Sequence, residues 1–505
     1  AVEWFIGGGR PIAMHAANVI IYAVMCLAVF LLAARFLPRA AAFIAAALFA
    51  VHPVHVEAVA NVVGQGELIT GLASVLGVWL YVRERDTGGM RWPVALAVVG
   101  CFVVGVLAKE NGTVFPLLLL VAELTVVRDP RPIAARFVTA RPLVLLLILT
   151  GLLYVWTRAR VLGDLAGMPP HTAYVGLHLT SAHRVLTMIG MAKEWARLLL
   201  WPARLVAEYS PPMVPFAIEV GPEQLPGFIV LLITFLTLWI AMQRGWREVS
   251  FGLWWTIAAM LPVSGFFFTT GFILAERTLL LPSVGAMYAV VGLGLRAWRA
   301  LPREVEGRRP VRLALGGAVA ALLLMAGMRT AARQLVWRDN DILFPITAHD
   351  APDSYRAHQI LGAWLFAKGF PGEGEHEMLE AIRLFPYDPI PPYLLAEEYR
   401  KKGACDRALP LYQWALATTD TAKSFALGPY ARCLLRLGRL DEARAQTLYG
   451  IGRGDEVRQY RRLLRQIDST RIAILSRDSL EWWLRRPGTT VPPAAHLAAA
   501  RSQGR

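Results

Sequence analysis

The chain has 505 residues, of which 56% are hydrophobic and 18% charged; ordinary soluble chains are nearer 45–50% apolar, so composition and length together exclude one small soluble domain. The formal net charge of +15 comes from 52 basic against 37 acidic residues, which raises nucleic acid as a partner. Much of the excess arginine lies at the ends of apolar stretches rather than in one patch, the placement that membrane topology demands, and nucleic acid is set aside.

In chain order, Ala1–Arg10 lack the basic start and apolar core of a signal peptide, and a chain opening on Ala1 reads as N-terminally truncated. Apolar stretches then occur at Pro11–Ala34, Ala40–Val51, Leu68–Val82, Trp92–Ala108, Thr113–Val127, Pro142–Val155, Leu225–Ala241, Phe251–Phe268, Leu279–Leu295 and Leu313–Met328. A spanning helix needs about 20 mostly apolar residues, and in an α-type sequence only helices satisfy their own backbone groups in hydrocarbon. The expected fold is therefore all-α: a polytopic membrane bundle of about ten spans over residues 1–335. Cys26 and Cys101 fall inside spans and read as small apolar fillers.

With Pro11 entered from outside, one set of connections carries Arg35 and Arg39, Arg83 to Arg91, Arg128 to Arg141, Arg244 and Arg247, and Arg296 to Arg312. The opposite short connections hold only Lys109 beside Glu110 and Arg277 beside Glu276. The arginine-rich set is then cytoplasmic, and the chain beyond the last span is exoplasmic: outside a bacterial inner membrane, or in the lumen of an endoplasmic reticulum. Arg158–Gln224 does not read as a span. Its Ser181–Leu200 segment has a helical pattern but carries His183, Arg184, Lys193, Glu194 and Arg197, as an amphipathic helix on the outer face or across the bundle would. The same loop adds His171, His178, Glu208 and Tyr209, which read as polar surface.

From about Tyr355 the apolar residues take a 3.6-residue period. Gly369, Gly403 and Gly438 recur at intervals of 34 and 35, Ala381 and Ala415 at 34, and Ala408 and Ala443 at 35. A 34-residue helix–turn–helix period is the tetratricopeptide pattern, and three units are about the minimum for a stack. An α-solenoid over 336–460 is expected, with a capping helix and tail over 461–505. The spacing of Cys405 and Cys433 does not demand a disulfide.

Ionisable groups in or at the ends of membrane helices are costly to hold there and are functional candidates. His52, His55, Glu57 and Glu67 form one cluster, Lys109 and Glu110 a second, and Glu276 and Arg277 a third, all at connections assigned to the outside. Lysine can neutralise a lipid phosphate and arginine can grip one with two donors. No fixed metal motif is present; two histidines and a glutamate leave a divalent cation as an option and no more.

The run Phe49-Ala50-Val51-His52-Pro53-Val54-His55-Val56-Glu57-Ala58, with Ala108-Lys109-Glu110, Ala275-Glu276-Arg277, Leu281-Pro282-Ser283 and Trp337-Arg338-Asp339, resembles the transmembrane and tetratricopeptide-repeat O-mannosyltransferases and their bacterial relatives. The resemblance implies a GT-C glycosyltransferase bundle that takes a sugar, typically mannose, from a polyprenyl phosphate on the exoplasmic side and passes it to an acceptor protein hydroxyl, with the repeats holding the acceptor. By the same resemblance His52, His55, Lys109, Glu110, Glu276 and Arg277 bind substrate. The catalytic acid belongs to a loop that would precede Ala1, which leaves Glu57 and Glu67 as weaker candidates. Where the family often reads Gly-Arg, this chain has Gly64-Gln65. Two other readings compete: a non-catalytic membrane scaffold that recruits proteins through the repeats, and a transporter. The transporter ranks last because the spans show no internal duplication.

Overall fold

The computed structural model describes Gly8 and residues 11–162, 177, 179–267, 271–302, 309–454 and 456–484. They form two compact units, one ending at Ala351 and one beginning at Pro352. No strand forms among the described residues; a single bridge joins Tyr209 to Leu274.

The first unit comprises α1 (Pro11–Ala33), α2 (Arg39–Ala50), α3 (Val56–Ala60), α4 (Gln65–Arg85), α5 (Trp92–Ala108), α6 (Phe115–Thr125), α7 (Ile133–Leu162), α8 (Ser181–Leu200), α9 (Leu225–Gln243), α10 (Arg247–Met260), α11 (Leu280–Ala300), α12 (Arg309–Val336) and α13 (Asn340–Asp350). Each of the ten apolar stretches is largely helical. Six helices are long and apolar enough to cross a membrane, or seven if α2 and the Pro53–Ala60 segment make one span bent by 47°. The expectation of about ten is reduced because the rest are short. At 1.5 Å per residue, the 11 residues of α6 rise only about 17 Å, against a hydrocarbon layer of roughly 30 Å. The helix expected over Phe251–Phe268 stops at Met260, ahead of Pro262 and of Gly265 at φ 71°. The first unit is a multi-pass membrane bundle.

The bundle has an inside and a lipid side. The apolar window of α11 is 72% buried and that of α4 56%, whereas α7, α9 and α12 bury 11%, 17% and 0%. The first two make the core, and the others turn leucines such as Leu149, Leu152 and Leu324 outward. α10 crosses α11 at Gly252 and Gly285; a Cβ on Gly252 would sit 2.5 Å from the Gly285 carbonyl oxygen and from the Ala289 amide. Small residues at such crossings let membrane helices approach closely. At the arginine-rich end, Arg85 is buried rather than free. Its guanidinium donates to Glu123 at 3.0 and 3.2 Å and to Asp129 at 2.8 Å, and Tyr81 donates to Glu123 at 2.7 Å, which ties α4 to α6.

α8 forms where the amphipathic pattern places it. Thr180 caps it by accepting from the His183 amide at 3.3 Å, while His183 Nδ1 accepts from the Thr180 amide. Met188, Met191, Trp195 and Leu198 are its buried face, and it packs on α9. His171 and His178 lie outside the described residues.

The second unit is a run of helix pairs: α14 (Tyr355–Lys368) with α15 (Pro371–Leu384), α16 (Ile390–Lys401) with α17 (Cys405–Thr418), and α18 (Ala422–Arg436) with α19 (Leu440–Gly452), followed by α20 (Val457–Leu484). The recurring glycines turn the chain inside each pair. Gly369, Gly403 and Gly438 take φ 87°, 81° and 74°, the left-handed region that ends helices and that a Cβ disfavours. Buried Ala381, Ala408, Ala415 and Ala443 let the helices meet, Tyr399 and Tyr412 fill the joints, and Leu463 and Ile467 of α20 close the core. This is a helical solenoid of three pairs with a closing helix. One feature departs from expectation: Cys405 and Cys433, with Cα atoms 5.2 Å apart, form a disulfide. Their pairing depends on α17 and α18 lying side by side, which sequence spacing does not encode.

Candidate functional site

The site is assembled at the breaks between helices. Val51 ends α2, and His52 then caps a short turn whose first residue is Pro53, a position where a missing N–H costs nothing. His52 Nδ1 accepts from the Val54 amide at 3.3 Å, so its Nε2 carries the proton and donates to the Leu199 carbonyl of α8 at 3.1 Å. His55 spans two elements. Its Nε2 lies 2.8 Å from Ser283 Oγ, which itself donates to the Leu280 carbonyl, and its Nδ1 lies 2.7 Å from the Tyr22 hydroxyl. Both histidines are buried with both ring nitrogens engaged. They lock the break to α1, α8 and α11.

The carboxylates are arranged as anchors. Glu57, buried at the start of α3, accepts from the Arg277 backbone amide at 3.0 Å and from the Arg277 guanidinium. Glu67, buried in the first turn of α4, accepts from Lys109 Nζ at 2.5 Å and from Asn111 Nδ2 at 3.1 Å. In each pair the acid is sealed and the cation is not: the side chains of Arg277 and Lys109 are 25% and 24% exposed, against 2% and 4% for Glu57 and Glu67. The Arg277 charge also acts on Glu67, so the two pairs share one neighbourhood. The Arg277 guanidinium stands 5.4 Å above the Phe272 ring.

Glu276 makes a third anchor. One oxygen accepts from the Val206 amide at 2.6 Å and the Tyr209 hydroxyl at 2.8 Å, which holds the loop after α8 against the turn before α11. Burial and the neighbouring carboxylate of Glu276 push the Tyr209 phenol well above its ordinary range. The other oxygen of Glu276 is buried without a hydrogen-bond partner, as are Nε and Nη2 of Arg333, whose charge acts on Glu276. Glu110 differs from the other acids. It is open to solvent, pairs with Arg158 at 3.3 Å, and is held below the ordinary carboxylate value by its own backbone amide first and by Arg158 after burial is counted.

The structure thus brings His52, His55, Glu57, Glu67, Lys109, Glu276 and Arg277 together at one end of the bundle, with Glu110 at its surface. Glu57 and Glu67, the weaker candidates for a catalytic acid, have their carboxylates committed to Arg277 and Lys109. Tyr22, Asn18 and Arg333 were not singled out from sequence. Asn18 donates from inside α1 to the Val59 and Asn61 carbonyls at 3.1 and 3.3 Å. For Asn18 and Tyr22 a polar side chain within an apolar span was the available signal; Arg333, past the end of its span, offered none. Beside His52 and Pro53 an apolar groove of about 420 Å³ runs between α2, α8, α11 and α12, walled by Trp201, Leu322 and Met325. Arg329 at its edge donates to the Ala203 carbonyl at 2.7 Å. Among the described residues no group of three or more His, Cys, Asp or Glu could hold a metal ion.

Fold and site together define a multi-pass membrane protein that presents two anchored cations and, next to His52, an apolar groove, and that carries a helical solenoid. Comparison with known proteins shows what the chain is similar to. The chain is 26% identical over 420 residues to mouse protein O-mannosyl-transferase TMTC4, covering 73% of this chain and 54% of that one. It is 28% identical over 389 residues to Drosophila melanogaster protein O-mannosyl-transferase Tmtc3, covering 68% and 40%, and 24% identical over 431 residues to human protein O-mannosyl-transferase TMTC1, covering 76% and 46%. The resemblance read from the sequence is borne out: this chain is a relative of the transmembrane and tetratricopeptide-repeat O-mannosyltransferases. It spans about half the length of the curated relatives it matches. No family model and no solved structure matches it.

Proposed function

We propose that the chain belongs to a membrane glycosyltransferase that moves a sugar, mannose by analogy with its relatives, from a polyprenyl phosphate to a protein hydroxyl on the exoplasmic side. The observation that carries this reading is the pair of partly exposed cations, Lys109 and Arg277, each fixed by a buried carboxylate. Transfer from a lipid phosphate leaves negative charge on the departing oxygen, and fixed cations aimed at that charge lower the barrier. The groove beside His52 suits the isoprenoid, and the solenoid suits an extended acceptor segment. The Cys405–Cys433 bond supports an exoplasmic solenoid, since disulfides persist in oxidising compartments. Among the described acids, Glu110 reaches solvent, but a carboxylate paired with Arg158 is a weak base. The reading therefore assigns the described residues to leaving-group stabilisation and leaves the base unassigned.

The test is transfer of mannose from a polyprenyl-phosphate mannose to an acceptor protein by the full-length protein in detergent. Lys109→Ala and Arg277→Ala should each reduce the rate by about 10²-fold or more, the scale of losing one preorganised charge donor. Unchanged rates in both variants would remove the phosphate assignment.

A further inference from the structure

We propose that the arginine-rich end of the first unit holds an anionic phospholipid in a site of its own. That end lies across the bundle from Lys109 and Arg277: α4 runs from Glu67 to Arg85, and α5 from Arg91 at its N-cap to Lys109 at its C-cap. The proposal does not rest on sugar transfer.

A cavity of about 830 Å³ opens here between α6, the segment after it, and the α9–α10 corner. Its apolar wall includes Leu120, Leu124, Met242 and Trp254, of which the first three are exposed. Its rim carries Arg128, Arg136 and Arg247, with Asp129 as its acid. The charges around it are already matched with each other, two excepted. Asp129 is taken by Arg85 at 2.8 Å and by Arg131 at 2.6 Å. Glu123, just behind, is taken by Arg85 at 3.0 Å and by Arg136 at 2.8 Å. Arg128 and Arg247 have no side-chain ion pair or hydrogen bond among the described residues, yet both face the cavity.

Two guanidinium groups on one cavity, with no counter-charge among the described residues, call for an anion with several acceptor oxygens, and guanidinium geometry fits phosphate. The exposed leucine and methionine wall calls for hydrocarbon at the same time. One molecule supplies both: a phospholipid with net negative charge, phosphate on the rim and acyl chain along the wall. Basic pockets between membrane helices recognise lipid head groups in this way, and the volume lies within the range of sites that enclose a small molecule. A zwitterionic phospholipid brings its own ammonium to the rim and loses the charge match. A free phosphate ion leaves the wall bare.

The full chain, purified in detergent and stripped of lipid, is titrated with phosphatidylglycerol, phosphatidylcholine or inorganic phosphate. Bound lipid is counted by native mass spectrometry, and stability is followed by thermal shift. Phosphatidylglycerol should bind at one copy per chain and raise the melting temperature, phosphatidylcholine should bind at least tenfold more weakly, and inorganic phosphate should give no shift. Arg128→Gln with Arg247→Gln should weaken phosphatidylglycerol about thirty-fold, at about 1 kcal/mol for each basic residue on an anionic surface and 1.4 kcal/mol per tenfold. Arg299→Gln, at the same end and outside the cavity, should change nothing. If the double variant aggregates, Arg128→Gln and Arg247→Gln are compared singly, since both residues are exposed. Equal binding of the two lipids overturns the proposal. So does undiminished binding by the variants, and a full shift by inorganic phosphate reassigns the rim to a soluble anion.

Discussion

The two single losses from the Glu57–Arg277 pair should together cost more than removing the pair whole. Glu57 is 2% exposed and holds both the backbone amide and the guanidinium of Arg277, which is 25% exposed. Glu57→Gln keeps the shape and an acceptor but loses the charge, and a hydrogen bond to a charged group contributes about 1.5–3 kcal/mol. Exposure of the partner places this variant near the low end, about 2 kcal/mol. Arg277→Gln is worse, because it strands a buried carboxylate, and losing one partner of a buried pair costs about 3–5 kcal/mol; a quarter-exposed arginine again argues for about 3 kcal/mol. The double variant leaves two neutral amides able to bond to each other and should cost about 3 kcal/mol rather than the sum of roughly 5, a coupling of about 2 kcal/mol. Unfolding of the full chain in mixed micelles by denaturant titration, followed by tryptophan fluorescence, gives the four free energies of the cycle. Single costs that add within about 0.5 kcal/mol would refute the anchoring argument.

Two further outcomes concern the solenoid. Replacing Cys405 and Cys433 by alanine opens a loop with a sequence separation of 28 and should cost about 3.5 kcal/mol by loop entropy; thermal melts with and without reductant should converge for the variant and differ for the parent. His358 donates to Glu377 at 2.6 Å and to the Pro352 carbonyl at 2.9 Å, and the Glu377 hydrogen bond holds its imidazole above the ordinary value. A raised folded value means that the contribution is fully present below the unfolded value of about 6.5 and is lost as pH rises through the folded one. The melting temperature of the second unit should therefore fall as pH rises above the ordinary imidazole value of about 6.5, and Glu377→Gln should flatten that slope; identical slopes would exclude the pair as the cause.

Periodicity made most of this fold legible. The apolar stretches became helices, and Gly369, Gly403 and Gly438 marked turns because a positive φ leaves few alternatives to glycine. Span number was over-read because hydropathy does not report where Pro262 or the His52-Pro53 break interrupts a helix. The site residues were legible as polar groups in apolar surroundings, but their roles were not. Glu57 and Glu67 read in sequence as acids free to meet a substrate, and only the structure shows both of them sealed and paired with a cation. Tyr22 and Ser283 bracket His55 from 33 residues upstream and 228 downstream, a pairing that no local window contains. Arg333 looked like one more arginine at a span end, yet it is buried.

Each cation at the site is born with its own counter-ion. A dianion arriving at Lys109 and Arg277 does not find bare charge; it must share them with Glu67 and Glu57, which cannot withdraw because they are sealed beneath. Such a seat holds an anionic guest lightly, and on the function proposed above it favours release of the spent phosphate over its retention.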